Sequence, residues 1–280
     1  MNTKDLENIA AQVRRDIIRM VHGAKSGHPG GSLGCADFMT ALYFQIMEID
    51  PTHFTKEGVG EDMFFLSNGH ISPVLYSVMA RRGYFPVEEL GTFRKLHTRL
   101  QGHPTPVEGL PGIRVASGSL GQGVSVAIGA ALAKKANKDP HLVFALTGDG
   151  ELQEGQVWEA FMFGGAKKVD NLIVTIDYNG KQIDGPTDVV MSLGKLRAKL
   201  EAFGWMVLEM DGNDMKKCVQ TLTLAKTISC KGKPIAIVMK TEMGKGVDFM
   251  MGTHKWHGTP PNDEQAEAAL AQLPVTLGDY

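Results

Sequence analysis

Short apolar runs alternate with helical patterns along most of the chain. The apolar runs lie at 64–66, 142–146, 172–176, 206–208 and 235–239. Residues with helical spacing lie between them, near 73–82, 119–136, 155–166, 193–203 and 214–229. Short uninterrupted apolar runs are typical of strands that are buried on both faces. The alternation therefore predicts an α/β fold in which a parallel sheet carries helices on both faces.

Both ends of the chain have a helical pattern. The first apolar residues repeat at helical spacing, and Thr3 is the predicted N-cap. A glycine-rich loop at 26–34 and a second helix at about 35–47 follow, and a tail helix is predicted near 263–272. We expect the helical segment 4–60 to pack on the sheet and residues 1–280 to form a single domain.

Composition narrows the class of protein. The 280 residues include 29 basic and 31 acidic side chains, for a net charge of −2. This balance argues against a dedicated binder of nucleic acid or of an anionic membrane, which needs a basic face. No apolar stretch reaches the roughly 18 to 20 residues that span a bilayer. Three cysteines without a CxxC pair fit a reducing compartment, so we expect a cytoplasmic protein.

Polar, glycine-bearing sequences follow the predicted strands, and in parallel sheets ligands bind beyond the carboxyl ends of strands. Asp149 follows the second strand and Asn179 follows the third. Their oxygens are hard ligands that suit Mg²⁺ or Ca²⁺. Gly148 and Gly150 allow a diphosphate to approach the backbone. Asp-Gly and Asn-Gly are also common turn dipeptides, so the metal site depends on the two strand ends being adjacent.

Seven motifs together resemble one family. They are SGHPGGSLG at 26–34, SNGH at 67–70, GHP at 102–104, SGSLGQG at 117–123, GDGELQEG at 148–155, the IDG after Asn179, and THKWHG at 253–258. GDG followed about thirty residues later by Asn resembles the thiamine diphosphate motif, and the full set resembles transketolase. The resemblance implies the thiamine diphosphate-binding fold, with the whole chain as the diphosphate-binding (PP-type) domain.

The resemblance implies a cofactor and a metal. Asp149, Asn179 and the backbone carbonyl of Lys181 match the ligands of Mg²⁺, for which Ca²⁺ or Mn²⁺ can substitute. Ser119 departs from the proline that is common in the family. The implied contacts of thiamine diphosphate are His70, Gly118, Ser119, Leu120, Gly148, Asp149, Gly150, Glu151, Asn179 and His254.

Five of the nine histidines lie in the matched motifs. By resemblance, His28, His70 and His103 line the substrate channel, where imidazole is suited to giving and taking protons. His254 is assigned near the diphosphate and to catalysis, but His257 is only three residues away and the choice between them stays open.

The helix near residues 155–166 carries further candidates. Glu154 and, more weakly, Glu159 match glutamates that link the two active sites of a dimer, although an exposed helical glutamate is the common alternative. Four other residues are interpreted as packing: Gln153, Trp158, Met162 and Phe163.

The chain resembles only the first of the three domains of a complete transketolase. We therefore expect the N-terminal subunit of a two-chain enzyme, inactive without a partner that carries the pyrimidine-binding and C-terminal domains, in an α2β2 assembly. The implied reaction transfers a two-carbon ketol unit from a ketose or its phosphate to an aldose or its phosphate, in the pentose phosphate pathway or in a dedicated sugar pathway. The alternative interpretation is that the chain is a fragment of a longer protein.

Two alternatives stay open at this point, one another thiamine diphosphate enzyme and one a protein without catalytic activity. The α subunit of a 2-oxo acid dehydrogenase E1 also carries GDG and a later Asn, but not the transketolase forms of SNGH and GSLGQG. A non-catalytic cofactor-binding subunit would keep Asp149 and Asn179 without needing His28, His70 and His103.

Overall fold

Seven strands and ten helices make up the computed structural model, which describes residues 1–280. The strands are β1 (Met63–Leu66), β2 (Val143–Gly148), β3 (Leu172–Tyr178), β4 (Lys181–Gln182), β5 (Gly185–Pro186), β6 (Met206–Asp211) and β7 (Ile235–Lys240). Five of them form one fully parallel sheet in the order β1-β2-β3-β7-β6. Strands β4 and β5 form a small antiparallel hairpin. The five predicted sheet strands are all present, and the structure extends their ends by up to three residues.

Most of the helices occupy the predicted intervals, but α2 and α7 were not predicted. They are α1 (Thr3–Ala24), α2 (Pro29–Gly34), α3 (Ala36–Ala41), α4 (Ser72–Arg82), α5 (Gly123–Ala136), α6 (Gly155–Ala166), α7 (Thr187–Met191), α8 (Leu196–Ala202), α9 (Met215–Ile228) and α10 (Asp263–Gln272). A π-helical turn, Leu42–Ile46, continues α3. None of these helices is long and apolar enough to cross a membrane.

Three local predictions were wrong. The N-cap of α1 is Asn2 rather than Thr3, because Asn2 accepts from the backbone N–H of Asp5 in a reciprocal capping box. Part of the expected loop at 26–34 is the helix α2, since Pro29 suits a first helical turn. The fifth helix begins at Gly123, so residues 119–122 belong to a loop.

Alternate residues of each strand face two separate hydrophobic cores. Phe64 and Phe144 face one core, which they share with α1, α3, α4 and α9. Phe65 and Ala145 face the other, which they share with α5, α6 and α8. Helices therefore cover both faces of the sheet, as the apolar runs predict, and the N-terminal helices pack on the first face.

The strand register places the polar strand ends side by side. Gly148 of β2 pairs with Asp177 of β3. Asp149 and Asn179, which follow these two residues, thus emerge at the same edge of the sheet. The crossover through α6 returns the chain to the neighbouring strand and so provides the adjacency on which the metal prediction depends.

Candidate active site

A cleft of about 410 Å³ opens at the carboxyl ends of β1, β2 and β3. Most residues that the sequence singles out line it: His28, His70, Gly118, Leu120, Gly148, Asp149, Gly150, Glu151, Glu154, Asn179 and Lys181. Three do not, namely Ser119, His103 and His254. His103 instead lines an adjoining cleft of about 470 Å³.

Hydrogen bonds join the two strand ends at the base of the cleft. Asp149 is buried and accepts from the backbone N–H groups of Gly150 at 2.7 Å and Gly180 at 2.6 Å. The amide oxygen of Asn179 accepts from the backbone N–H of Lys181 at 2.9 Å. Its amide nitrogen donates to Asp177, also at 2.9 Å. Local hydrogen bonds therefore hold the turn that carries Asn179 and Lys181, and the bond from Gly180 joins this turn to Asp149.

Asp177 is a second buried carboxylate that the sequence motifs do not reveal. Burial and, secondly, the charge of Asp177 raise the pKa of Asp149 to about 7. Burial likewise raises the pKa of Asp177. The nearby amine of Lys181 pairs with Glu242 at 3.1 Å, and the charge of Lys181 is only a minor influence on Asp177. The buried Asp149 carboxyl and the amide oxygen of Asn179 are hard oxygen donors that fit a divalent cation, whereas both oxygens of Asp177 are engaged by Thr241 and Asn179.

Four buried polar atoms of the cleft-lining residues have no hydrogen-bond partner in the protein. They are Asn68 Oδ1, Gln182 Oε1, His28 Nδ1 and His257 Nδ1. Buried polar groups are normally paired, so these atoms indicate a polar ligand that completes their hydrogen bonding. A diphosphate cofactor with its cation and a sugar substrate fit this requirement.

Glu151, which the resemblance assigns to the cofactor, lines the cleft and also has partners within the protein. Its buried carboxylate accepts four hydrogen bonds from within the protein. The donors are Ser67 Oγ, the Gly121 N–H at 2.7 Å, Thr147 Oγ1 at 2.7 Å and the Gly148 N–H at 3.1 Å. Glu151 borders the cleft, but its oxygens hold together the loops after β1 and β2 and the loop before α5.

Glycines allow these loops to approach closely. A Cβ atom on Gly69 would lie 2.4 Å from Ser117 Oγ, and one on Gly118 would lie 2.5 Å from the ring of His103. Gly118 also has a φ of 111°, a backbone conformation that residues other than glycine rarely adopt. The SNGH, GHP and SGSLG motifs are therefore parts of one packed assembly around the cleft.

The rings of four histidines lie close to one another in and beside the cleft. His28 and His70 have ring centroids 5.1 Å apart, and His257 lies 5.6 Å from His28 and 5.0 Å from His70. His103 lies 6.4 Å from His28. His254, which the sequence analysis preferred, is outside this group.

The four imidazoles share a shift toward the neutral form. Burial, with smaller contributions from His257, Arg94 and His103, lowers the pKa of His28 to about 4. Burial is also the main cause that lowers the pKa of His70, His103 and His257. Neutral imidazoles carry one donor and one acceptor each, which suits hydrogen bonding to sugar hydroxyls and transfer of protons.

Arg94 is a further site residue without an obvious sequence signal. Its guanidinium donates to Ser26 Oγ at 2.8 Å, and no carboxylate pairs with it. A Cβ atom on Gly102 would lie 2.6 Å from the guanidinium, so glycine provides the space. Arg94 lines the adjoining cleft with His103 and supplies a positive charge beside the neutral histidines.

The packing predictions for α6 have mixed outcomes. Trp158 packs against the second core. Met162 and Phe163 are 55% and 44% exposed, so their assignment to packing within this chain was wrong. Glu154 is exposed at the mouth of the cleft, where its side chain contacts Gly121.

The comparisons with known proteins agree with this geometry. A family model described as "Transketolase, thiamine diphosphate binding domain" matches residues 6–276. One subunit of the apulose-4-phosphate transketolase from Phocaeicola vulgatus is 40% identical over 98% of this chain and 95% of its own length. A 6-deoxy-6-sulfo-D-fructose transketolase subunit from Clostridium sp. is 40% identical over 96% of both chains.

Longer transketolases match over part of their length. The rat transketolase is 34% identical over 96% of this chain but only 42% of its own length. The solved transketolase of Campylobacter jejuni superposes with a TM-score of 0.89 at 34% identity, over 98% of this chain and 43% of that one. The chain thus spans about two fifths of these longer proteins.

Proposed function

Because this chain belongs to the transketolase family, as its thiamine diphosphate-binding domain, we propose that it is the N-terminal subunit of a two-chain transketolase. It binds thiamine diphosphate together with Mg²⁺ and, with its partner, transfers a two-carbon ketol unit from a ketose or its phosphate to an aldose or its phosphate. The observation that carries this proposal is that Asp149 and Asn179 line the same cleft as His28, His70 and His257.

Each part of the cleft has a separate task in this reaction. Asp149, Asn179 and the carbonyl of Lys181 hold the cation, while Gly148 and Gly150 leave space for the diphosphate. Thiamine diphosphate, when bound, supplies the electron sink for breaking and forming the carbon–carbon bond. The protein contributes binding, orientation and proton transfer.

The neutral histidines are suited to the substrate end. His28, His70 and His257 lie within 5.6 Å of one another and all three line the cleft. An imidazole that is neutral at pH 7 accepts a proton from a sugar hydroxyl and returns it later in the reaction. His103, beside the Arg94 cation, binds hydroxyl groups nearer the entrance.

The partner is a second polypeptide with the pyrimidine-binding and C-terminal domains, in an α2β2 assembly within the cytoplasm. Relatives that match this chain nearly end to end are named as subunits. In this chain α5 and α6 also leave an apolar surface uncovered, including Val126, Met162 and Phe163. Exposed apolar surface of this kind marks a protein–protein contact.

Reconstitution tests the proposal. The chain is assayed alone and with the co-expressed product of a neighbouring gene that encodes the missing domains. A ketose phosphate donor and an aldose phosphate acceptor are supplied with thiamine diphosphate and Mg²⁺. We expect ketol transfer only from the two-chain sample. Full transfer by the isolated chain contradicts the need for a partner, and pyruvate oxidation with an artificial electron acceptor supports an E1 subunit instead.

A further inference from the structure

One carboxylate oxygen connects two functional segments of the chain. The metal loop is residues 179–182, and the histidine segment is residues 252–258. Glu242 Oε1 accepts from the amine of Lys181 in the metal loop at 3.1 Å. The same atom accepts from the backbone N–H of Gly252, which begins the histidine segment, at 2.9 Å. The two segments are thus joined through a single side chain.

Glu242 is itself fixed on the scaffold. It lies two residues beyond β7, and its backbone N–H donates to the side-chain oxygen of Asn213 at 2.7 Å. A Cβ atom on Gly34 would lie 3.1 Å from the Glu242 carbonyl oxygen, so the backbone of α2 packs closely against it. The carboxylate therefore projects from a well-supported position.

The histidine segment has few other attachments. Its residues 252–255 make no other hydrogen bond to the rest of the chain than the one from Gly252 to Glu242. Further along, the carbonyl of Trp256 accepts from the Gly30 N–H at 3.0 Å, and its indole N–H donates to the Phe249 carbonyl at 3.0 Å. His257 then packs against His28 and His70. The start of the segment depends on Glu242, and its far end reaches the histidine cluster.

We propose that Glu242 is a positioning residue that couples the metal loop to the placement of His257. This inference rests on the proposed function, because it takes the metal loop as the place where the cation binds. A cation held by the carbonyl of Lys181 fixes that residue, its amine fixes Glu242 Oε1, and this oxygen fixes Gly252. Binding of cofactor and cation then orders the histidine segment, and the ordered segment in turn favours their binding.

Limited trypsin digestion measures the coupling directly. Lys255 lies within the histidine segment and is exposed. In the wild-type chain assembled with its partner subunit, saturating thiamine diphosphate with Mg²⁺ is expected to slow cleavage after Lys255 several-fold. Glu242→Ala removes both contacts, so the ligands are expected to give no protection at this site. Lys181→Met keeps the backbone carbonyl and loses only the ion pair, so protection is expected to be partial.

Cofactor affinity gives a second readout. A partly exposed ion pair of this kind contributes about two- to fivefold to an equilibrium. We expect Lys181→Met to weaken thiamine diphosphate binding by about that factor in a calorimetric titration. Glu242→Gln keeps an oxygen for Gly252 and is expected to retain more protection than Glu242→Ala.

The matched control is Glu209→Gln. Glu209 is an exposed residue of β6 whose carboxylate accepts a hydrogen bond from the Arg197 guanidinium at 3.2 Å. This variant should bind cofactor and gain protection as the wild type does. Full ligand-induced protection in Glu242→Ala overturns the inference. Failure of the wild-type chain assembled with its partner subunit to bind thiamine diphosphate overturns the proposed function instead, so the two outcomes are distinguishable. A urea unfolding curve close to that of the wild type shows that Glu242→Ala is folded.

Discussion

The carboxylate of Asp149 accepts a 2.6 Å hydrogen bond from the backbone N–H of Gly180, which joins the loops after β2 and β3. This bond places one predicted metal ligand beside the turn that carries the other, Asn179. The protein's own hydrogen bonds therefore define the shape of the base of the cleft. Pre-organisation of this kind lowers the cost of ordering the site during binding.

Asp149→Asn tests the metal site. The amide has nearly the same size but lacks the charge, and its NH₂ group faces backbone donors. We expect Mg²⁺-dependent binding of thiamine diphosphate to weaken by about 100-fold or more. Calorimetric titration with and without Mg²⁺ measures the change. Asp188→Asn, an exposed carboxylate on α7, serves as the control, and equal affinities for the two variants would contradict the metal assignment.

Glu151→Ala tests the internal role of this carboxylate. The substitution leaves four buried donors without an acceptor, from Ser67, Gly121, Thr147 and Gly148. We expect the free energy of unfolding to fall by about 3 kcal/mol, as the desolvation penalty for unpaired buried groups implies. Urea unfolding measures it, with exposed Glu159→Ala as the control. A stable Glu151→Ala chain that only loses cofactor affinity would instead support direct contact with the cofactor.

His257→Asn and His254→Asn form a matched pair that decides between two neighbouring histidines. His257 lies against His28 and His70, whereas His254 lies outside the cluster. In the reconstituted enzyme we expect His257→Asn to reduce kcat by about 100-fold, the size typical of a lost proton-transfer group. His254→Asn should change kcat by less than about threefold, within the small effects typical of surface substitutions. The reverse order of effects would favour His254 as the catalytic histidine.

The stability of the chain should depend on pH through His28. Its ordinary pKa is 6.5, and burial lowers the pKa in the folded chain to about 4. Between these values the unfolded chain binds a proton that the folded chain does not, so unfolding becomes easier as the pH falls from 6.5 to 4. We expect a steeper decline for the wild type than for His28→Asn in urea unfolding at about pH 7, 6 and 5. Parallel curves would show that the folded His28 titrates normally.

Phe163→Ser tests the uncovered surface of α6. Phe163 is 44% exposed and Met162 beside it is 55% exposed, so the isolated chain loses little packing from the change. We expect unchanged unfolding by urea but weaker assembly with the partner subunit in sedimentation velocity experiments. The matched control is Leu277→Ser. Leu277 is 50% exposed and lies near the C-terminus, away from α6 in the sequence. Equal assembly of both variants would place the partner on another surface.

The sheet and its helices follow from the sequence because burial on both faces leaves a clear apolar signature. The five sheet strands and the family resemblance are confirmed by the structure and by the similarity to transketolases. The adjacency of Asp149 and Asn179 was also predictable, because consecutive parallel strands joined by one crossover end at the same edge. Their roles as ligands remain predictions, as do those of the histidines.

Local patterns did not decide which contacts a side chain makes. Phe163 and Phe161 are both apolar residues on the same helix, yet Phe161 is fully buried and Phe163 is exposed. Arg94 carries no motif, and its place beside the histidines arises from packing against Gly102.

The sequence by itself determined the fold, the family and the end of the sheet at which the chemistry lies, because these depend on periodic burial and on motifs of fixed spacing. Only the tertiary structure decided that His257 rather than His254 joins His28 and His70. The tertiary structure also decided that the Glu151 carboxylate joins neighbouring loops by hydrogen bonds and that the Glu242 carboxylate connects Lys181 with Gly252. The physical reason is that these relationships join residues from loops far apart in the chain, whose mutual orientation is set by packing and hydrogen bonding of the whole fold.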